Sequence, residues 1–264
     1  MPVIPELDTL ANLVRLVAQD ELVPRFRRIK QHIKHDGSIL TEADLAAQSA
    51  LQNALASRWP DIPMLGEEMP LDRQEQLLQE ASNGIWIVDP LDGTSNFSLG
   101  IPYYSVSVAL VVGDHIELGV VYDPERDELF TARHGSGAFL NQERLNLSGM
   151  RQVDTMTVGM VDFKRLDASL AGKLAADPPY KSQRSFGSVA LDWCWIAAGR
   201  GDVYVHGKQK MWDYAAGHIV LEEAGGYSST LKGERVFNGS LTPRSAVLAI
   251  NKPLFEKWHA FLKS

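Results

Sequence analysis

The sequence contains a single cysteine, Cys194, among its 264 residues. An intramolecular disulfide is therefore excluded, and such sparse use of cysteine is typical of a reducing compartment. The first ten residues also lack the basic segment and the apolar core of a secretory signal. Together these absences predict a cytoplasmic location.

Long apolar runs and an excess of basic residues are missing as well. The longest nearly apolar stretch, residues 101–112, is interrupted by Pro102, Ser105 and Ser107 and is too short to span a bilayer. Acidic residues outnumber basic residues by 33 to 26, which gives a net charge of −7. Because such a chain repels polyanions, we expect neither nucleic acid nor a membrane as a partner, whereas a small anionic ligand is compatible with local cations in a cleft.

What is present fits one large globular unit. Hydrophobic residues make up 45% and charged residues 22% of the chain, without any internal repeat or low-complexity tract. We expect residues 1–264 to form a single unit, with a soft internal boundary that separates residues 1–150 from residues 151–264.

The hydrophobic pattern predicts helices around antiparallel strands. The spacing of Leu10, Val14 and Val17 predicts a first amphipathic helix ending near Pro24, and Asp36-Gly37 predicts the turn of a hairpin. Further helices are predicted after Thr41 as N-cap and up to Pro60, at 187–198, at 212–224 and from Pro253 onward. Strands are predicted at 85–88, 104–112, 116–122, 129–132, 156–161, 203–205 and 246–250. This mixture indicates an α+β layered fold.

Three acidic segments carry the candidate chemistry. The segment WIVDPLDGTSNF, residues 86–97, is an apolar strand that ends in Asp89 and Asp92, three residues apart around a proline. In isolation, DPxDG would be an ordinary turn. The segment GEE at 66–68 precedes it, and WDYAAG at 212–217 leads into EEAGG at 222–226. The combination of the three segments favours a site over a turn.

In these segments the chain resembles the inositol monophosphatase family of magnesium-dependent, lithium-sensitive phosphatases. GEE, DPLDGTSNF and WDYAAG through EAGG match the family's hallmarks in order, and the resemblance extends over residues 34–226. It implies an αβαβα layered sandwich and Mg²⁺-dependent hydrolysis of a small phosphomonoester, such as inositol 1-phosphate. It also implies a homodimer.

The resemblance implies a set of metal ligands. These are the carboxylates of Glu67, Asp89, Asp92 and Asp213 together with the backbone carbonyl of Leu91. Two carboxylates about 4 Å apart repel by roughly 4 kcal/mol at an effective dielectric constant near 20, so such a cluster needs divalent cations. Ligands that offer oxygen alone favour Mg²⁺ or Mn²⁺ over zinc, and the family pattern implies two or three ions. Glu68 is equally well explained as a solvated surface acid.

The resemblance also implies catalytic residues. Thr94, hydrogen-bonded to Asp44, would help to remove a proton from the attacking water, and Glu67 is assigned to catalysis as well as to the metal. Asp44 has an equally good explanation as a capping residue after Thr41. The N–H groups of Gly93 and Thr94 would open a helix towards the phosphate and bind it, because glycine permits a close approach. Lys34 matches a family lysine near the metals.

The substrate side of the site departs from the family pattern. Gly187 and Ser188 match a pair that faces the alcohol, although Ser188 is also typical of a helix N-cap. His206 stands where inositol-specific members carry a substrate-binding glutamate, and Lys208 and Lys210 follow it. This change weakens the assignment to inositol phosphate itself. A cationic rim would suit a substrate with a second phosphate, and a solvated loop explains the lysines equally well.

Three alternatives stay open, one for Asp213 and two for the function of the chain. Asp213, assigned to metal and substrate, could also be the N-cap of a helix over 214–224. The chain could be a phosphatase for a 3′-phosphonucleotide, fructose 1,6-bisphosphate or histidinol phosphate on the same scaffold, although Asn96 after DGTS favours the inositol-type branch. It could also be a regulatory protein that contacts a partner protein and retains the site.

Overall fold

The computed structural model describes residues 4–27, 32–33, 39–81, 83–149 and 155–264, with the backbone alone for residues 32, 33, 39 and 149. Its helices are α1 (Leu7–Val17), α2 (Glu42–Arg58), α3 (Leu71–Glu80), α4 (Thr94–Leu99), α5 (Ala168–Ala176), α6 (Val189–Ala197), α7 (Met211–Glu223) and α8 (Lys252–Lys263). Its strands are β1 (His32–Ile33), β2 (Ile39–Leu40), β3 (Met64–Gly66), β4 (Ile85–Asp92), β5 (Ser105–Val112), β6 (His115–Asp123), β7 (Glu128–Arg133), β8 (Gly137–Leu140), β9 (Glu143–Leu145), β10 (Val158–Asp162), β11 (Ser182–Arg184), β12 (Val203–Gln209), β13 (Tyr227–Ser229) and β14 (Arg244–Ala249).

Two sheets form the framework. The larger has seven strands in the order β3-β4-β5-β6-β7-β8-β9, and the smaller has five in the order β11-β10-β12-β14-β13. Strand β3 runs parallel to β4, and the remaining neighbours in the larger sheet are antiparallel. In the smaller sheet β10 runs parallel to both β11 and β12. The short strands β1 and β2 pair antiparallel, while the predicted turn Asp36-Gly37 lies outside the described residues.

Helices cover the sheets in five alternating layers. Helices α1 and α2 share a core with one face of the larger sheet, which includes Trp86 and Val88. Ile85 and Ile87, on the opposite face, share a second core with α6, α7 and the smaller sheet. Successive side chains of a strand point to opposite faces, and both faces of β4 are covered, so the strand is buried along its whole length. Residues 85–88 accordingly form a continuous apolar run ahead of Asp89. This arrangement confirms the predicted α+β fold and its αβαβα layers.

The predicted elements are found with small shifts at their ends. The first helical segment continues from α1 through a π turn, Ala18–Leu22, and a 3₁₀ turn, Val23–Arg25, so it ends near Pro24 as predicted. Thr41 is the N-cap of α2, because its Oγ1 accepts the Ala43 N–H at 3.2 Å. The elements that the pattern did not predict are the helices α3 and α5 and the strands β3, β8, β9, β11 and β13.

The division into two parts stays a prediction. The larger sheet uses residues 64–145 and the smaller sheet uses residues 158–249, on either side of the expected boundary. Within the described part of the chain, none of the helices combines the length and the apolar character needed to cross a bilayer.

Helix α7 packs closely because glycine occurs at its contacts. A Cβ added to Gly217 would lie 2.5 Å from Cβ of Trp193 on α6. On the sheet side, a Cβ added to Gly119 of β6 would lie 2.8 Å from the carbonyl oxygen of Ala216. Because α7 carries Asp213, these two contacts fix the position of that carboxylate relative to α6 and the larger sheet.

We expect Gly217→Ala to lower the free energy of unfolding by about 1–3 kcal/mol, since the added methyl group overfills a tight helix contact. The matched control is Gly172→Ala on α5, where an added Cβ meets no atom within 4 Å. That change should be neutral or stabilise the helix by up to about 1 kcal/mol. Urea denaturation measures both, and equal effects of the two substitutions would contradict the packing argument.

Candidate metal centre

Three acidic side chains converge where α7 meets the larger sheet. Glu67, Asp89 and Asp213 each offer one carboxylate oxygen, and these oxygens lie within 4.8 Å of one another. Glu67 follows β3, and Asp89 lies in β4. Because these strands are parallel, with Gly66 opposite Val88, the next residue of each strand brings one carboxylate beside the other. Asp213 joins them from the first turn of α7.

The acidic cluster is electrostatically strained without a counterion. Burial and the negative charges of Glu67, Asp92 and Asp213 raise the pKa of Asp89 well above its ordinary value. Burial and the negative charges of Glu67 and Asp92 also raise the pKa of Asp213 well above its ordinary value. Buried carboxylates that repel one another are relieved by a hard cation. The donor set, made of oxygen alone, therefore fits Mg²⁺ or Mn²⁺.

Asp92 connects the cluster to α6. Its Oδ2 accepts the Ser188 hydroxyl at 2.6 Å and the Ala190 N–H at 2.7 Å. Burial raises the pKa of Asp92 to about 6, although these hydrogen bonds act in the opposite direction. Ser188 is fully buried and is the N-cap of α6, accepting the Leu191 N–H at 3.4 Å. The capping explanation of Ser188 is thus confirmed, and its contact with the substrate stays a prediction.

Thr94 and Asp44 are brought together from positions 50 residues apart. The Thr94 hydroxyl lies 3.0 Å from Asp44 Oδ1 and 3.0 Å from the carbonyl oxygen of Leu91. Asp44 Oδ2 accepts the backbone N–H of Thr41 at 2.7 Å. Asp44 therefore caps α2 with one oxygen and holds Thr94 with the other. The capping explanation is confirmed, and the catalytic role of the pair stays a prediction. Burial raises the pKa of Asp44.

Gly93 and Gly187 face each other across a narrow gap. Gly93 has φ +93°, and an added Cβ would lie 3.1 Å from the carbonyl oxygen of Tyr103 and 3.3 Å from that of Gly187. The Asn96 amide fixes this gap, because its Nδ2 donates to the carbonyl oxygens of Tyr103 at 2.8 Å and of Phe186 at 2.7 Å. Sequence reasoning used Asn96 only to choose between family branches and missed this role.

His206 is buried and already has two partners. Its Nε2 lies 3.3 Å from Oδ2 of Asp162, which is its neighbour in the parallel pairing of β10 and β12. Its Nδ1 accepts the backbone N–H of Lys208 at 3.2 Å. Burial raises the pKa of Asp162, but its contacts with His206, Arg165 and the Lys164 N–H outweigh burial, so the net shift is downward. Sequence reasoning missed Asp162, and substrate binding by His206 stays a prediction.

One explanation of Asp213 was wrong. Helix α7 begins at Met211, with Lys210 at the N-cap position, so Asp213 is the third helical residue and not the N-cap. The helix starts earlier because Met211 and Trp212 bury their side chains and complete its first turn. Asp213 Oδ2 instead accepts the backbone N–H of Lys210 at 2.7 Å.

The remaining predictions concern three lysines and Glu68. Lys34 lies outside the described residues. Lys208 and Lys210 are exposed, as the solvated-loop explanation expects, and Nζ of Lys210 lies 5.7 Å from the ring centroid of Trp212. The backbone N–H of Glu68 donates to Gln48 Oε1 at 3.0 Å, so this residue contributes at least its main chain to the structure.

Comparison with known proteins gives one consistent relationship. A model of the "Inositol monophosphatase family" matches residues 6–261. A "Nus factor SuhB" from Pasteurella multocida is 37% identical over 209 residues, which is 76% of this chain and 75% of that protein. An "Inositol-1-monophosphatase" from Mesorhizobium japonicum is 34% identical over 250 residues, 86% of this chain and 88% of that protein. The solved IMPase of Thermotoga maritima has a TM-score of 0.84 and 28% identity, covering 97% of this chain and 96% of that one.

The raised pKa values predict how the metal-free protein responds to pH. Above pH 4 the folded carboxyls retain protons that the unfolded chain releases, so their contribution to stability falls as the pH rises toward 7. We expect Asp89→Asn, which removes one buried charge, to stabilise the metal-free protein at pH 7.5 by about 1 kcal/mol or more. The difference should shrink as the pH falls and vanish below about pH 3.5, where the unfolded chain is protonated as well. Mg²⁺ at pH 7.5 should stabilise the wild type but not the variant.

Thermal unfolding in the presence of a chelator measures this effect. The control is Asp114→Asn, which removes a carboxylate that is 97% exposed and should leave the pH profile unchanged. A metal-free Asp89→Asn protein that is less stable than the wild type at pH 7.5 would contradict the electrostatic argument.

Proposed function

The chain belongs to the inositol monophosphatase family, and from this membership and the geometry of the site we propose that it is a metal-dependent phosphomonoesterase acting on a small phosphorylated alcohol. The observation that carries the proposal is the convergence of Glu67, Asp89 and Asp213, whose oxygens lie within 4.8 Å of one another. A clustered set of acids is a stability burden unless it holds cations.

The acidic cluster would hold two or three Mg²⁺ ions, with Mn²⁺ as an alternative. The ligands would be the carboxylates of Glu67, Asp89, Asp92 and Asp213 and the carbonyl oxygen of Leu91. When bound, such cations neutralise phosphate charge, lower the pKa of water and stabilise a departing alkoxide. Phosphoryl transfer asks the protein chiefly for positioning and electrostatic stabilisation, which are the properties of a rigid carboxylate cluster.

Thr94 and Asp44 would move the proton. If the Thr94 hydroxyl donates to Asp44, its lone pairs are free to accept a proton from the attacking water. The carboxylate of Asp44 is held in place by Thr41 through its second oxygen. The raised pKa of Asp44 makes this carboxylate a better proton acceptor near neutral pH. The N–H groups of Gly93 and Thr94 would bind the phosphate, and Lys34 would add positive charge.

The alcohol side of the substrate would be bound by Gly187, Ser188, His206 and Asp213. Specific binding of inositol phosphate needs a side chain at position 206 that accepts hydrogen bonds from the hydroxyl groups of the inositol ring. His206 has both ring nitrogens engaged, one with Asp162 and one with the Lys208 N–H. This observation supports the second candidate, a substrate with an additional phosphate that binds near Lys208 and Lys210.

A regulatory role is a further alternative, favoured by the relatives named "Nus factor SuhB". In that case the chain would contact a partner protein and retain the carboxylate site. A stoichiometric partner in a pull-down whose binding survives Asp89→Asn would support this hypothesis.

From the resemblance we also propose that the protein is a homodimer, which light scattering would test. We further propose a cytoplasmic location.

We expect Thr94→Val to lower kcat by about 100-fold or more while Mg²⁺ binding persists, because the change removes a proton carrier but no metal ligand. Thr94→Ser, which retains a hydroxyl, should recover part of the rate. Ser95→Ala is the matched control, since Ser95 is the exposed neighbour on the same helix. Phosphate release measures the rates, and a Thr94→Val enzyme with the wild-type kcat would contradict the assignment.

The substrate class is tested by a panel of inositol 1-phosphate, 3′-phosphoadenosine 5′-phosphate, fructose 1,6-bisphosphate and histidinol phosphate. We expect Mg²⁺-dependent phosphate release that Asp89→Asn and Asp213→Asn abolish. Ranking the substrates by kcat/KM decides between the candidates, and strong preference for a bisphosphate would replace the inositol reading. Wild-type rates in either variant would contradict the proposed function.

A further inference from the structure

Two glutamine side chains from two helices hold the loop that carries Glu67. Gln74 of α3 donates from Nε2 to the carbonyl oxygen of Gly66 at 2.9 Å and to that of Glu67 at 3.3 Å. On the other side of the loop, Gln48 of α2 accepts the Glu68 N–H at 3.0 Å. Three consecutive residues are thus bonded by side chains that lie outside the acidic cluster.

Gln74 stands where an apolar side chain would be expected. It is 3% exposed and lies on the inward face of α3, three residues before the buried Leu77. Burying a carboxamide is costly unless its donors are hydrogen-bonded. The bonds to Gly66 and Glu67 meet that need, so the buried polar side chain is explained by the loop it holds.

The backbone of Glu67 is fixed from both sides. Its N–H donates to the carbonyl oxygen of Val88 at 3.1 Å, and Val88 immediately precedes Asp89 in β4. Its own carbonyl oxygen accepts the bond from Gln74. With both peptide groups held, the side-chain torsions alone decide where the carboxylate lies. The bond to Val88 sets the distance from Asp89, and the bond to Gln74 sets the orientation of the loop.

Helix α2 connects this loop to the proton-carrying pair. Gln48 follows Asp44 by four residues, so both side chains project from the same face of α2. A Cβ on Gly66 would collide with Oε1 of Gln48, which shows how closely the helix approaches the loop. The helix that orients Thr94 through Asp44 therefore also limits the movement of the loop beside Glu67.

We propose that Gln74 is a positioning residue for Glu67, with Gln48 supporting the same loop from the opposite side. Gln74 acts through two backbone carbonyls and touches no carboxylate of the cluster in these bonds. The inference rests on the proposed function in one respect, because it takes Glu67 as a metal ligand. Residues that orient ligands from behind typically change metal affinity by 10- to 100-fold when they are replaced.

The test is Gln74→Met, which retains the length and volume of the side chain but removes both donors. Titration with Mn²⁺ alone, followed by the electron paramagnetic resonance signal of the free ion, measures the dissociation constant without any turnover. We expect the variant to bind Mn²⁺ roughly tenfold more weakly than the wild type. Leu77→Ala, on the same helix face, is the matched control and should lower Tm while leaving Mn²⁺ affinity unchanged.

Titration of the wild type distinguishes a failure of the inference from a failure of the proposed function. If the wild type binds Mn²⁺ and Gln74→Met binds it equally well, the positioning role is wrong and the metal site stands. If Leu77→Ala weakens Mn²⁺ binding as much as Gln74→Met, the effect belongs to helix stability and the inference is wrong. If the wild type binds no Mn²⁺, the proposed metal site fails and the inference fails with it. Should Gln74→Met not fold, Gln74→Asn, which withdraws the amide by one methylene group, is compared in the same titration.

Discussion

The repulsion among clustered carboxylates, one buried and two half-buried, is the constraint on which this structure depends. Glu67, Asp89 and Asp213 offer oxygens within 4.8 Å of one another, and burial and mutual charge raise the pKa values of both aspartates. Such an arrangement persists only if the rest of the fold holds it in place. The carboxylate cluster is unfavourable by itself and becomes favourable when cations are bound. The repulsion that constrains the fold is therefore also the basis of the proposed metal-dependent function.

A recurring contact shows how the fold holds these acids. One oxygen of each aspartate accepts a backbone N–H: Asp89 from Leu91, Asp92 from Ala190, Asp213 from Lys210 and Asp44 from Thr41. Backbone donors stabilise the ionised carboxylate and fix its plane without adding a mobile cation to the site. One oxygen is anchored in each case, so the direction of the second oxygen is set by the main chain.

Much of the fold followed from the sequence because its strongest signals are local. The first half of β4, residues 85–88, is a continuous apolar run that predicts a strand, and Thr41 followed by Asp44 is typical of a capping sequence. Helix α3 was missed because Leu77 and Gln74 are its buried residues, and a buried glutamine carries no apolar periodicity. Strand β3 has three residues and is defined by its pairing with β4, which no local pattern reveals.

For the site, too, local segments could be predicted from the sequence and contacts between distant segments could not. The acidic segments could be identified by resemblance, whereas their contacts depend on elements distant in sequence. The bond between Thr94 and Asp44 spans 50 residues, and the bond between Asp92 and Ser188 spans 96. The start of α7 at Met211 depends on the burial of Trp212, so Asp213 could not be distinguished from an N-cap. Asp162 gave no signal because its partner His206 meets it only through the pairing of β10 with β12.

Anomalous diffraction from crystals of this protein soaked in Mn²⁺ tests the central claim most directly. The account predicts at least one anomalous peak at coordination distance from oxygens of Glu67, Asp89 and Asp213 together. A map at saturating Mn²⁺ with no peak there, or with peaks that contact none of these three carboxylates, would contradict it.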